Sequence, residues 1–251
     1  MNATERRNKI EQLLKEKKEI EVSALNNMFN VSGVTIRNDL IFLERKGIAK
    51  RLFGKIVLEN DVIHEYQLHD SKNIAEKEKI GKAAANIINP GDSVLFYAGS
   101  TTQQVVRFLN KDINLVAVTN SILIAQQLRN LPNVKSVLIG GNINHKIGAT
   151  YGLEAIKQIK EYNYDKLLLA VDGIDSEMGI TNNEPFESDI NQIILAQSNK
   201  VIVIADYTKV GNVTFVKMGN IEDIDVLVTD SKASESHIEK IRAKGVEVIK
   251  A

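Results

Sequence analysis

The chain has 251 residues, room for one large domain or a small one joined to a medium one, and its 43% hydrophobic and 25% charged residues fit an ordinary globular protein. It has no cysteine, which excludes disulfides, thiol catalysis and Cys-based zinc sites, and His64, His69, His145 and His237 show no metal-ligand spacing, so neither a metal nor a cofactor is expected. No apolar run approaches the roughly 18–20 residues that span a bilayer, and the opening Met1-Asn-Ala-Thr-Glu-Arg-Arg7 is polar, so a cytoplasmic location away from membranes is expected.

The pattern predicts a first helix from about Thr4 to Lys17, with Ile10, Leu13 and Leu14 as its apolar stripe. Leu25, Met28 and Phe29 follow at i, i+3, i+4, one face of a short second helix. Asn30 tolerates the left-handed backbone of a tight turn, and Val31 is placed to plug the gap between two helices. Ser32 is a good N-cap for the next helix, whose buried side is marked by Ile36, Leu40 and Leu43. Val34, Arg37, Asn38 and Ile41 project the other way, with Thr35 at the margin. Gly47 suits the position just past that helix. Lys50-Arg-Leu-Phe-Gly-Lys-Ile-Val-Leu58 then gives two short extended runs around Gly54. Helix, turn, helix and hairpin in this order make a winged helix-turn-helix, which presents one helix to a DNA groove. Ser32, Val34, Thr35, Arg37 and Asn38 at the start of the second helix, with Lys50, Arg51 and Lys55 on the wing, are the candidate DNA contacts.

A Ser-x-x-Thr-x-Arg string by itself fits a small helical domain with solvated charges equally well. Charge distribution favours the DNA reading. Residues 1–58 hold 12 Lys+Arg and 7 Asp+Glu, a net of +5, which leaves 20 basic and 25 acidic residues, a net of −5, for the rest. A basic head on an acidic body is the mark of a polyanion-binding module joined to something else. The expected organisation is a head over 1–58, a polar linker over 59–72 and a second domain over 73–251.

From Asn73 onward, short apolar strands alternate with amphipathic helices. Strands are expected at Ser93–Phe96, Leu115–Val118, Ser136–Ile139, Leu167–Val171, Val201–Ala205, Val226–Val228 and Val246–Ile249. Helices are expected at Ile74–Ile88, Thr102–Leu109, Ile122–Leu131, Leu153–Tyr162, Asp189–Ser198 and His237–Lys244. The fold class is α/β, a parallel sheet with helices on both faces. Ligands of such sheets bind beyond the carboxyl ends of the strands. Those ends read Tyr97-Ala-Gly99-Ser100-Thr101-Thr102, Thr119-Asn120-Ser121, Gly140-Gly141, Asp172-Gly173-Ile-Asp175 and Asp206-Tyr-Thr-Lys209. Each is ordinary as a cap or turn. Five in succession suggest one hydroxyl-rich, phosphate-bearing ligand, its phosphate at the Gly-Ser-Thr-Thr turn where a helix begins.

With both halves in view, the chain resembles the DeoR-type transcriptional repressors of bacterial sugar catabolism over essentially its full length. Val31-Ser-x-Val-Thr-Ile-Arg-x-Asp-Leu40 and Leu43-Glu-x-x-Gly47 carry the resemblance in the head. Gly99-Ser-Thr-Thr102, Val118-Thr-Asn-Ser121, Ile139-Gly-Gly141, Gly173-Ile-Asp175, Gly179-Ile-Thr181 and Ala205-Asp206 with Lys209 carry it in the body. The resemblance implies a sensor with the fold of ribose-5-phosphate isomerase, a phosphorylated sugar or polyol as inducer, with hexitol phosphates the first guess, and a dimer or tetramer bound to double-stranded operator DNA. It implies that phosphate meets Ser100–Thr102 and Lys209, and that hydroxyls meet Asn120, Asp172 and Asp175.

Three positions depart from the family pattern: Tyr97 where Asp is usual, Arg51-Leu-Phe-Gly-Lys55 where the wing usually reads Arg-x-His-Gly-Gly, and Asn191 near the place of a common Lys. The alternative function is a sugar-phosphate isomerase or deaminase fused to a DNA-binding head. Asp172 and Asp175 resemble the paired acids of the isomerase, but that enzyme's Lys-Gly-Gly-Gly loop is replaced by Gly179-Ile-Thr-Asn-Asn-Glu184, and Glu184 or Glu187 would have to supply the base. A regulator that is not an enzyme is expected.

Overall fold

The computed structural model describes residues 2–17, 19–29, 31–46, 48–52, 55–58, 72–145, 147–183 and 188–251, with the backbone alone of Glu19, Asn27, Arg45, Lys50, Arg51, Leu52, Val57, Leu58, Ser188 and Asp189. Asn30, Gly47, Phe53, Gly54, Glu184, Glu187 and all but the last residue of the expected linker over 59–72 lie outside the described residues. The chain divides into two compact units, Met1–Ser71 and Lys72–Ala251.

In the first unit the order is α1 (Ala3–Lys17), β1 (Glu19–Glu21), α2 (Val22–Phe29), α3 (Gly33–Arg45), β2 (Ala49–Leu52) and β3 (Lys55–Leu58). Ile10 and Leu14 of α1, Leu25 of α2 and Ile36, Leu40 and Leu43 of α3 meet over Ile20, Ala49 and Ile56 in a closed apolar core. Met28 is exposed rather than part of the α2 stripe, and Val22 lies partly buried against the core in its place. The hairpin β2–β3 is joined by β1, which pairs antiparallel with β3 through Ile20↔Ile56 and sets Glu21 opposite Lys55. That third strand gives the wing a covered edge.

The second unit is built on seven parallel strands in the order β15-β14-β12-β9-β4-β5-β6. They are β4 (Ser93–Phe96), β5 (Leu115–Thr119), β6 (Val134–Leu138), β9 (Lys166–Ala170), β12 (Val201–Ile204), β14 (Val226–Thr229) and β15 (Glu247–Lys250). Alternate side chains point to opposite faces. Leu167 and Leu169 of β9 join Leu95 and Val203 in one core, against α7 (Leu153–Lys160), α8 (Ser188–Ala196) and α9 (Glu235–Ala243). Leu168 joins Phe96, Ile202 and Ile204 in the other, against α4 (Ile74–Ala85), α5 (Ser100–Arg107) and α6 (Ile122–Leu128). The continuous apolar runs of the central strands follow from burial on both faces.

Two additions decorate the sheet. The hairpin β7 (Asn142–Asn144) with β8 (Ala149–Tyr151) follows β6. A small antiparallel sheet of β10 (Gly173–Asp175), β11 (Gly179–Asn182) and β13 (Val216–Gly219) follows β9. From β4 the chain steps outward to β5 and β6, then crosses back to enter β9 on the other side of β4. The carboxyl ends of β4 and β9 therefore flank the point where the winding reverses, the place where open sheets of this kind form a ligand crevice.

Candidate functional sites

The head's candidate surface is built around α3. Ser32 caps the helix: its Oγ accepts from the Thr35 amide at 3.3 Å and lies 2.9 Å from Thr35 Oγ1. Ser32 and Thr35 thus hold each other at the first turn. Ile36, Leu40 and Leu43 are buried, which leaves Val34 (69% exposed), Arg37 and Asn38 facing solvent. Asp39 was not among the candidate contacts, and it is almost fully buried. Its two oxygens accept from Arg6 Nε at 2.5 Å and Arg7 Nε at 2.7 Å, both on α1. The Arg7 guanidinium also stacks on the Phe42 ring, 4.0 Å from its centroid. One carboxylate bracketed by two arginines fixes the recognition helix against the first helix. The signal for it was the Asp in an otherwise apolar i, i+3, i+4 stripe. Lys50, Arg51 and Lys55 occupy β2 and β3, with the Lys50 and Arg51 side chains outside the described residues.

In the second unit the crevice between the ends of β4 and β9 gathers part of the expected set. A Cβ on Gly99 would come within 2.6 Å of Ala170 Cβ, so glycine lets the β4 loop lie directly on the last residue of β9. Ser100, Thr101 and Thr102 open α5, where first-turn amides lack intrahelical acceptors. Thr102 is fully buried, and its Oγ1 has no hydrogen-bond partner among the described residues. Lys77 reaches in from α4, itself only 8% exposed, and donates to Ser100 Oγ at 3.0 Å. Past the next two strands of the sheet, Asp172 after β9 faces Lys209 after β12 at 3.5 Å, each side chain 32% exposed. Asp172 also accepts from the Asn183 amide at 3.1 Å and from Asn183 Nδ2 at 3.0 Å. A long, half-exposed ion pair is weakly held, so Lys209 is free to exchange its carboxylate for an arriving anion.

Other expected contacts turn inward instead. Thr119 Oγ1 donates to the Phe96 carbonyl at 2.7 Å and accepts from the Ser121 amide, while Ser121 Oγ caps α6. Asn120 accepts from the Ala98 amide at 2.9 Å and donates to the Thr150 carbonyl at 3.2 Å. All three are buried, and their polar groups stitch the end of β4 to β5 and β8. The Gly140 amide donates to Gln158 of α7, and Gly141 (φ 146°) has the Tyr151 carbonyl where a Cβ would stand. This pair packs the edge of the sheet. Gly173 lies in β10, where a Cβ would strike Asn212 and Thr181. Asp175 accepts from the Glu177 and Met178 amides of its own turn, and those bonds hold its carboxyl below the usual range. It is a turn residue. The family-departing Tyr97 is buried in the core, and Asn191 is fully buried with both amide atoms unpartnered among the described residues.

Lys77 was missed because it sits in the run Glu76-Lys-Glu-Lys79, which reads as a solvated helix face. Its position three before Ile80 and seven before Ala84 places it on the buried stripe, and that spacing could have found it. Glu76 beside it pairs with Lys232, which follows β14 and stands 5.3 Å from the Tyr207 ring. The Lys232 hydrogen bond holds the Glu76 carboxyl below its usual range.

These two units match two known domain families. Residues 6–62 match the DeoR-like helix-turn-helix domain, and residues 72–231 match the DeoR C-terminal sensor domain. A putative aga operon transcriptional repressor of Escherichia coli O157:H7 is 32% identical over 98% of this chain and 93% of its own. The transcriptional repressor GlcR of Bacillus subtilis is 30% identical over 94% and 92%. Ribose 5-phosphate isomerase A of Methanocaldococcus jannaschii aligns with a TM-score of 0.38 at 16% identity, over 53% of this chain and 52% of that one, too distant to bear on function. A capped recognition helix, a sensor sheet and relatives alike over nearly their whole length agree: the chain belongs to the DeoR family of helix-turn-helix transcriptional regulators.

Proposed function

We propose that the chain represses a carbohydrate-utilisation operon by binding operator DNA through α3 and the wing, and that a phosphorylated sugar or polyol in the β4–β9 crevice releases it. The observation that carries this reading is the buried Lys77 donating to Ser100 beside the amides that open α5, with the Asp172–Lys209 pair past the next two strands of the sheet, β9 and β12. Two cations, buried hydroxyls and helix amides suit a phosphate dianion. Asp172 and Asn183 at the same rim suit sugar hydroxyls. The E. coli relative is named a putative aga operon transcriptional repressor and the B. subtilis relative a transcriptional repressor, which supports repression of an operon as the mode of action.

The operator would be a palindrome read by two heads of a homodimer or tetramer, since symmetric assemblies read symmetric sites. Among the described residues no helix is long and apolar enough to cross a membrane, in keeping with action on DNA in the cytoplasm. A purely regulatory role fits the carboxylates: Asp175 is consumed by its turn, and Asp172 accepts from Asn183 and faces Lys209.

The test is thermal shift of the full chain with a panel of hexose and hexitol phosphates, each beside its unphosphorylated parent. Stabilisation by one phosphorylated member and not by its parent is expected, with weaker operator binding in its presence. A panel that leaves the melting point unmoved would overturn the effector reading.

A further inference from the structure

The first turn of α4 closes its backbone bond, the Lys77 amide donating to the Asn73 carbonyl at 2.9 Å, but has no side-chain cap. Asn73 at its N-cap is left-handed (φ 60°) and makes no side-chain cap bond, and Ile74 is 42% exposed. The later turns are clamped. A Cβ on Gly81 would stand 2.6 Å from Gln104 Cβ of α5, and Ile80 and Ala84 are fully buried. Beyond that bond, the side chains of two adjacent residues tie the first turn to the loops past the sheet strands. Lys77 donates to Ser100 at the phosphate-type loop, and Glu76 takes Lys232 beyond β14. Lys232 lies over Tyr207, two residues before Lys209. The two ties therefore end past different strands of the sheet, one after β4 and one after β14, with β9 and β12 between them. Residue 72 begins this unit, so the turn so held is the one nearest in sequence to the head.

We infer that Glu76 is a positioning residue for induction, tying the first turn of α4 to the rim so that an anion in the crevice is felt where the sensor continues toward the head. The inference rests on the effector reading above. A phosphate at Ser100 offers Lys77 a charged acceptor in place of a neutral hydroxyl, roughly doubling the strength of its bond. The pull on Lys77 shifts the turn, and the Glu76–Lys232 tie sets how far. A ligand changes operator affinity only through contacts that differ between the two states. An exposed-side ion pair of this kind is worth a factor of about two to five, enough to tune induction and too little to decide folding.

The experiment uses the full chain, a duplex selected from random DNA for binding, and inorganic phosphate, galactitol 1-phosphate, tagatose 6-phosphate and fructose 1-phosphate as probes. Calorimetry gives each probe's Kd, and titration of the duplex with and without saturating probe gives the induction factor. Glu76→Gln and Lys232→Met are each expected to leave probe Kd and unliganded DNA Kd within about twofold while shrinking the induction factor about two- to fivefold. The reversed pair Glu76→Lys with Lys232→Glu is expected to restore it, which a merely structural role does not require. An unchanged induction factor in both single variants overturns the inference and leaves the effector reading standing. So does a loss confined to probe Kd, which would make Glu76 part of the crevice itself. If no probe binds the unaltered protein, the effector reading fails first and the inference with it.

Discussion

The head and the sensor solve the same problem, holding polar side chains where a partner can reach them, in opposite ways. In the head the reach is local. One helix carries Val34, Arg37 and Asn38 outward and Ile36, Leu40 and Leu43 inward, so a single period of 3.6 residues separates contact from core. In the sensor the proposed site draws on residues far apart in the chain, Lys77 with Ser100 and Asp172 with Asn183 and Lys209, set at the ends of successive strands by sheet order. Local periodicity therefore exposes the first surface and conceals much of the second. The difference also says where damage should fall: a substitution in one unit should leave the other's binding unaltered.

The largest break in that separation is expected at Asp39. Replacing it with Ala leaves the buried Arg6 guanidinium without its carboxylate, and breaking a buried pair from one side costs about 3–5 kcal/mol. The small core of the head cannot absorb that. We expect amide hydrogen-exchange protection to collapse in residues 2–58 and DNA binding to be lost, while phosphorylated probes still stabilise the sensor. Loss of probe binding as well would show that the units do not fail separately.

A smaller, more selective pair sharpens the contrast without unfolding either unit. Arg37→Ala removes an exposed charge from α3 and should cost about 1–3 kcal/mol of operator binding. The slope of log affinity against log salt should fall by about 0.9 if the contact is to phosphate, and specificity at one base pair should relax if it is to a base edge. Lys209→Met should do the reverse. Losing a charged bond to the effector costs about 1.5–3 kcal/mol, so the repressor holds DNA and no longer answers its inducer. Lys209→Met protein that lost DNA binding and kept its inducer response would contradict the division of labour.

The same contrast explains what the amino-acid order shows and what it conceals. All seven sheet strands and six sensor helices are visible as apolar runs and amphipathic stretches; burial on two faces demands continuous Val, Ile and Leu in the central strands, while the edge strands β6 and β15 are more exposed and mixed in composition. The strand β1 is hidden because three residues, Glu19-Ile-Glu21, carry no period of their own and exist by pairing with β3. The sheet of β10, β11 and β13 is hidden for a related reason: its strands are three or four residues long and rich in glycine. At the crevice, residue type marks a strand end but not the direction of a side chain. Thr119, Asn120 and Ser121 look like ligands in sequence, and fold into bonds with Phe96, Ala98, Thr150 and the α6 amides. Lys77 looks like a solvated charge and is a buried cation bonded to Ser100.

Asp175 offers the finest test of that distinction, because the two readings differ in which quantity changes, effector affinity or stability. As a sugar ligand, its conversion to Asn would weaken effector binding by about 1 kcal/mol or more. As the turn residue that the structure describes, the change should leave effector affinity alone and cost less than about 1 kcal/mol of stability, since Asn can still accept from Glu177 and Met178 without the charge. The amide bonds lower the folded carboxyl's pKa, so the stabilisation is fully present above the unfolded value and fades as pH falls through the lowered folded one. The stability gap between the two proteins should therefore narrow on acidification below the ordinary range of an aspartate, about 3.9. A gap that stays constant through that range, or one that appears only when effector is bound, would return Asp175 to the binding site.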